Sequence, residues 1–142
     1  MGIIIGVGLA CAIGLLASRF GVDRDLSFYP VVAMIVASYY VLFALMGAPT
    51  EVVAVELLIG AMFLVAAAWG FARSLWLVVG ALALHGLLDI GHGSIIDNPG
   101  VPAWWPAFCS TYDVTAAAYL AWRITTRRIR ARRSLPEVLA IA

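Results

Sequence analysis

Two histidines and an aspartate lie close together in one strongly apolar part of the sequence. His85, Asp89 and His92 are separated by four and then three positions, a spacing that places them on one face of an α-helix. Imidazole nitrogens and carboxylate oxygens bind divalent metal ions and also act as general acids and bases. The spacing therefore indicates a metal site, with Zn favoured and Fe or Mn as alternatives.

The reach of a single ion limits how this face can be used. Along a helix axis, His85 and His92 are about 10.5 Å apart, so one ion cannot easily bind both. One arrangement has a single ion held by His85, Asp89 and Asp113, with His92 as a neighbouring base. In another arrangement Asp89 bridges two ions, each with one histidine. In either case Glu56 is a candidate further ligand, or a general base acting on water activated by the ion.

Other roles for these groups stay open at this point. They can form a proton-linked or ligand-binding cluster, or a buried polar network that only fixes helix register. Cys109 lies one turn before Asp113 and can add a thiolate, although a small buried apolar role is favoured for it. Haem with one axial histidine is a weaker alternative, because His85 and His92 on one helix cannot clamp a haem from both faces.

The composition shows which kind of element must position these groups. Hydrophobic residues make up 64% of the chain and charged residues only 12%, about half the usual charged share of a soluble protein. Five apolar segments are each long enough to cross the roughly 30 Å hydrocarbon core. They lie at about 2–18, 28–47, 51–70, 75–92 and 104–122. We therefore predict an all-α, polytopic membrane bundle of five transmembrane helices over 1–126, followed by a basic tail at 127–142.

The basic residues predict the orientation of this bundle. All nine are arginines, and in a five-span chain all nine lie on the side of the C-terminus. They are Arg19, Arg24, Arg73, Arg123, Arg127, Arg128, Arg130, Arg132 and Arg133. The positive-inside rule then predicts a cytoplasmic C-terminus and an outside N-terminus, in a bacterial cytoplasmic membrane. No aromatic or polar readers accompany the arginines of the tail, so we expect contact with anionic headgroups and no nucleic-acid binding.

With this orientation the ionisable residues fall at a common depth. Glu56, His85, Asp89, His92 and Asp113 are all predicted to lie in the outer half of the bundle. An unpaired aspartate at the centre of a membrane helix costs about 2.5 to 3.5 kcal/mol on insertion scales. A bound cation would remove this cost, because it neutralises carboxylates and accepts imidazole nitrogens.

Two further patterns suggest partners. Gly2, Gly6, Ala10 and Gly14 recur at every fourth position and predict close helix packing, inside the bundle or in a homo-oligomer or larger membrane complex. Trp104 and the tryptophan after it end the loop between the fourth and fifth segments, where an aromatic belt anchors helices at the outer interface. These tryptophans can also guide a lipid-like substrate toward the site.

The motifs H-x3-D-x2-H, P-A-W-W-P and C-x3-D together resemble an uncharacterised bacterial family of small multi-pass membrane proteins. They are carried here by His85, Asp89 and His92, then by Cys109 and Asp113, and cover about the last two-thirds of the chain. The resemblance implies a shared site without naming a reaction. A looser similarity to alkaline-ceramidase-like membrane hydrolases implies zinc and a lipid-amide substrate. Those enzymes use three histidines and an aspartate within seven spans, whereas this chain has two histidines.

These patterns favour a metal-dependent membrane hydrolase that acts on an amphipathic or lipid-like substrate. Glu56 and His92 are the expected catalytic residues, and His85, Asp89, His92 and Asp113 are the expected metal ligands. The rival function is a non-enzymatic membrane subunit or a transporter, in which the cluster binds an ion, a proton, a lipid or haem. The inner half of the predicted helices offers few polar residues, which disfavours transport.

Overall fold

In the computed structural model, residues 1–131 are described and fold into five α-helices, with no strand among them. The helices are α1 (Gly2–Phe20), α2 (Phe28–Leu45), α3 (Thr50–Arg73), α4 (Leu75–Ile95) and α5 (Trp105–Thr125). A single 3-10 turn, Val22–Arg24, follows α1. The all-helical prediction is confirmed, and each helix ends within about three residues of its predicted bounds. Most of the predicted tail at 127–142 lies outside the described residues.

Four of these helices, α1 to α4, are long and apolar enough to cross a membrane. Their outward faces carry exposed apolar side chains such as Ile4 and Ile90, which are 79% and 73% exposed. Such surfaces suit a lipid environment. The prediction of a membrane protein is supported to this extent. Helix α5 is of similar length, 21 residues, but less apolar. Its assignment as a fifth span, like the orientation, stays a prediction.

Helix α5 lies between α1 and α4 and packs closely against both. The small residues of α1 allow this approach. A side chain at Gly6 would collide with the backbone carbonyl of Phe108 and with Thr111, and a Cβ at Gly14 would lie 2.9 Å from the ring of Tyr119. The small-residue face of α1 is therefore covered by α5 of the same chain, the first of the two packing alternatives.

A buried ion pair joins the 3-10 turn after α1 to α5 at the arginine-bearing end of the bundle. Nη2 of Arg123 lies 2.8 Å from Oδ2 of Asp23, whose side chain is fully buried. The Ser18 hydroxyl donates to the same carboxylate oxygen at 2.7 Å and lies 2.8 Å from the Tyr119 hydroxyl. Arg123 is therefore more than a topology signal, because it has a specific buried partner.

Candidate metal centre

Four possible metal ligands meet between α4 and α5. His85 and Asp89 lie one turn apart on α4, and Cys109 and Asp113 lie one turn apart on α5. Because residues four positions apart share a helix face, each helix presents its pair to the other. One ligand atom from each of the four residues lies within 4.8 Å of all the others, and all four are buried. We call these four residues the metal group.

The two helices come close at this level because Gly86 follows His85. A Cβ at Gly86 would lie 2.9 Å from the carbonyl oxygen of Ser110 and 3.2 Å from Cβ of Asp113. Only a residue without a side chain leaves the backbone of α5 enough room at this point. The glycine thus permits the short distance between the α4 pair and the α5 pair of the metal group.

One strong hydrogen bond joins the two halves of the metal group. Nδ1 of His85 donates to Oδ2 of Asp113 at 2.7 Å and lies 3.6 Å from Oδ2 of Asp89. The Cys109 thiol points at the same Asp113 oxygen, at 3.8 Å. This bond fixes the histidine ring with its Nδ1 atom turned toward both aspartates.

The remaining carboxylate oxygens have no such partners. Within residues 1–131, neither oxygen of Asp89 makes a hydrogen bond, and Oδ1 of Asp113 makes none either. Both side chains are fully buried. The Tyr40 hydroxyl lies close enough to Asp89 to interact with its carboxylate. Buried carboxylate oxygens are costly when left alone, so these atoms are the ones that a cation would satisfy.

The donor set of the metal group is one imidazole, one thiol and two carboxylates. Four ligands of nitrogen, sulfur and oxygen type suit Zn in four-coordinate geometry. Imidazole and carboxylate ligands also suit Fe or Mn. The structure therefore contains a group able to hold a metal ion, formed by three of the four predicted ligands together with Cys109.

His92, the fourth predicted ligand, lies in a separate cluster. Its Nε2 atom lies 2.9 Å from Oε1 of Glu56, on α3, and both side chains are buried. The side-chain amide of Asn98 donates to the same glutamate oxygen at 2.8 Å and to the backbone carbonyl of Tyr40 at 3.1 Å. We call Glu56, His92 and Asn98 the glutamate cluster. The structure therefore groups His92 with Glu56, its predicted catalytic partner.

Tyr40 of α2 lies beside both clusters. Its ring stacks on the imidazole of His92, with centroids 3.9 Å apart and planes inclined by 25°. The same ring lies 6.1 Å from the ring of His85. The metal group and the glutamate cluster are thus neighbours that share one aromatic side chain.

Asn98 belongs both to a turn and to the site. The turn is present, since the backbone N–H of Gly100 donates to the Asn98 side-chain oxygen at 3.2 Å. Gly100 itself lies so close to the carbonyl of Phe43 that no side chain fits there. The loop is therefore held against α2, and the amide nitrogen of Asn98 is left to reach Glu56.

An apolar groove of about 540 Å³ runs between α1, α2 and α5. Its walls are formed by aliphatic residues of α1 and α2 and by aromatic residues of α2 and α5. The lining residues are Ile5, Leu9, Ile13, Phe28, Val32, Ile35, Val36, Tyr39, Trp104, Trp105, Phe108, Cys109 and Tyr112. Trp104 and Trp105 lie at the start of α5, and Cys109 belongs both to the groove and to the metal group.

Comparison with known proteins adds no assignment to this geometry. The chain matches no family model, no curated protein and no solved structure. The family resemblances of the motifs therefore stay expectations, and the functional argument depends on the residues of the site.

Proposed function

We propose that this chain is a membrane metalloprotein that hydrolyses a lipid-like substrate, with its ion held by the metal group. The observation that carries the proposal is the meeting of four buried ligands, among which three carboxylate oxygens of Asp89 and Asp113 make no close hydrogen bond within residues 1–131. We favour Zn, with Fe or Mn as alternatives. The proposed setting is the outer half of a five-span bundle in a bacterial cytoplasmic membrane.

Hydrolysis requires an activated water and a group that moves its proton. A divalent ion supplies Lewis acidity and makes water nucleophilic near neutral pH. Glu56 is the proposed base, which takes the water proton and returns it to the leaving oxygen or nitrogen of an ester or amide. The two donors on its Oε1 atom, from His92 and Asn98, hold the carboxylate in one orientation and leave Oε2 as the candidate proton acceptor.

The apolar groove supports a substrate with a hydrocarbon chain. Its volume lies within the roughly 300 to 1,000 Å³ of small-molecule pockets, and its lining is almost entirely apolar. Because Cys109 lines the groove, a hydrocarbon chain bound there would lie next to the metal group. Trp104 and Trp105 suit the membrane interface, where the polar headgroup of a lipid lies. An amphipathic lipid would satisfy both ends at once.

Elemental analysis of the detergent-purified full chain tests the metal site. The protein should be prepared without chelator, beside His85→Ala, Asp113→Asn and the exposed control Asp97→Asn. We expect near-stoichiometric metal in the wild type and the control, and little in the two site variants. Wild-type protein without metal, or metal that persists in both site variants, would overturn the proposed site.

A second candidate function is a non-enzymatic subunit in which the same groups form a polar network. The observation in its favour is the 2.7 Å hydrogen bond of His85 with Asp113, because the imidazole and the carboxylate are direct partners of each other. In that case the purified chain holds no metal, and Asp113→Asn lowers its thermal stability. A metalloenzyme would instead lose its bound ion.

A further inference from the structure

Three arginine side chains line one cavity at the end of the bundle opposite the glutamate cluster. Arg24 comes from the 3-10 turn after α1, and Arg128 and Arg130 come from the segment after α5. The cavity has a volume of about 320 Å³, and Leu26 and Ile129 complete its lining. All three arginines are exposed. Three arginines therefore contribute to the lining of a single space at the surface.

The backbone after α5 holds this arrangement in place. Arg127 has a left-handed conformation with φ of 55°, which is uncommon for a residue with a side chain. The N–H of Arg128 donates to the carbonyl of Arg123 at 2.9 Å, so the chain turns back toward the bundle. Such a conformation persists only where surrounding contacts fix it.

Two contacts do so. Ile129 is buried in the hydrophobic core, and the N–H of Leu75, the first residue of α4, donates to the carbonyl of Ala131 at 2.8 Å. Arg128 and Arg130 flank Ile129 and remain exposed. The two guanidinium groups are thus carried by a fixed segment.

Among the salt bridges within residues 1–131, none involves Arg24, Arg128 or Arg130. Asp23, the buried acid at this end, is already bound to Arg123 and Ser18. Like charges around one cavity repel each other unless an anion enters.

We propose that this cavity is a binding site for a phosphate group, carried by a membrane lipid or by a soluble phosphate. Guanidinium groups match phosphate oxygens with paired, charge-assisted hydrogen bonds, and three of them can surround one phosphate. The predicted orientation places this end of the bundle at the cytoplasmic surface, where anionic lipid headgroups lie. The proposal does not depend on the metal group.

Native mass spectrometry of the full chain tests the lipid source. Protein extracted from mixed phosphatidylglycerol and phosphatidylcholine membranes should retain phosphatidylglycerol. We expect Arg24→Gln and Arg130→Gln to bind it about tenfold less, because each loses a charged hydrogen-bond donor. The matched control is Arg73→Gln, an exposed arginine at the same end of the bundle but outside the cavity. Arg24→Lys keeps the charge and should fall between wild type and Arg24→Gln.

Titration with inorganic phosphate separates the two sources. If phosphate binds the wild type and displaces the lipid, but does neither in Arg130→Gln, the site is open to soluble phosphate. Lipid retention that millimolar phosphate leaves unchanged identifies a headgroup site. The proposal would be overturned if Arg73→Gln lost as much lipid binding as the cavity variants. It would also be overturned if phosphatidylglycerol and inorganic phosphate bound equally well to all variants. In either case unspecific surface charge would explain the binding.

Discussion

His85 and Asp113 are 28 positions apart in the sequence, and a 2.7 Å hydrogen bond joins them across the interface of α4 and α5. In an apolar surrounding, such a bond fixes how far one helix is shifted along the other. It also holds Nδ1 of the imidazole toward the two aspartates of the metal group. One contact thus contributes to both the packing and the chemistry of the site.

Replacement of Cys109 should reveal whether the thiol binds the ion. In the cobalt-substituted protein, we expect Cys109→Ser to lose the thiolate-to-cobalt charge-transfer absorption. Its metal affinity should fall by at least about tenfold, because loss of a residue that only supports a metal ligand already costs about that much. The matched control is Cys11→Ser, which removes the other free cysteine from outside the metal group. An unchanged spectrum in Cys109→Ser would exclude the thiolate as a ligand.

Two replacements of Glu56 should separate its proton chemistry from its structural role. Glu56→Gln keeps an oxygen that accepts from His92 and Asn98, so we expect little change in thermal stability but loss of hydrolysis. Glu56→Leu leaves both donors buried and unpaired, at a cost of about 1 to 3 kcal/mol for each. Thermal melting in detergent and turnover of a lipid ester measure the two effects. Full turnover by Glu56→Gln would contradict its role as the base.

A side chain at Gly86 should open the metal group. We expect Gly86→Val to push α4 away from the Ser110 carbonyl, lowering stability by about 1 to 3 kcal/mol and reducing the bound metal. Gly80→Val on the same helix is the control, because a Cβ at Gly80 meets nothing within 4 Å. Thermal melting and elemental analysis of both variants test this. Equal effects at the two glycines would point to a general loss of helix packing instead.

The buried pair of Asp23 and Arg123 should behave as one unit. Removal of either partner leaves an uncompensated buried charge, and we expect Asp23→Asn or Arg123→Met to cost about 3 to 5 kcal/mol. The double variant should lose clearly less than the sum of the single losses. Arg19→Gln, at an exposed arginine of α1, serves as the control. Additive losses in the double-mutant cycle would show that the two groups do not interact.

Cysteine labelling should test the predicted orientation and the fifth span together. In a Cys11→Ser background, we expect Asp97→Cys in the loop before α5 to react with a membrane-impermeant maleimide added to intact cells. Thr126→Cys, directly after α5, should react only after the cells are opened. Both positions are exposed in the structure. Reaction of both cysteines in intact cells would place the two ends of α5 on one side and exclude a fifth span.

The helices could be predicted from the sequence because apolar length alone determines them. The proximity of His85 and Asp89 to Asp113 could also be predicted. Their spacing defines helix faces, and the free-energy cost of an unpaired ionisable side chain in lipid requires a partner for each. The partner of His92 could not be predicted, because it depends on which neighbouring helix lies opposite each turn of α4. His85 faces α5, whereas His92, two turns further along, faces Glu56 of α3.

Asn98 and Arg123 were outside the reach of sequence reasoning for a related reason. Each already had a sufficient local explanation, as a turn residue and as a topology charge. Their contacts, with Glu56 and with Asp23, join positions 42 and 100 residues apart. No short-range spacing carries such information.

The position of α5 has a consequence for how the protein is made. Among the five helices, α1 is synthesised before the others but packs mainly against α5, which follows them. Until α5 is made, the glycine face of α1 lacks the helix that covers it, Asp23 lacks its arginine, and His85 lacks Asp113. Synthesis of α5 therefore completes both ends of the bundle in one step. A chain stalled before that point presents unpaired acids that quality-control proteases can recognise.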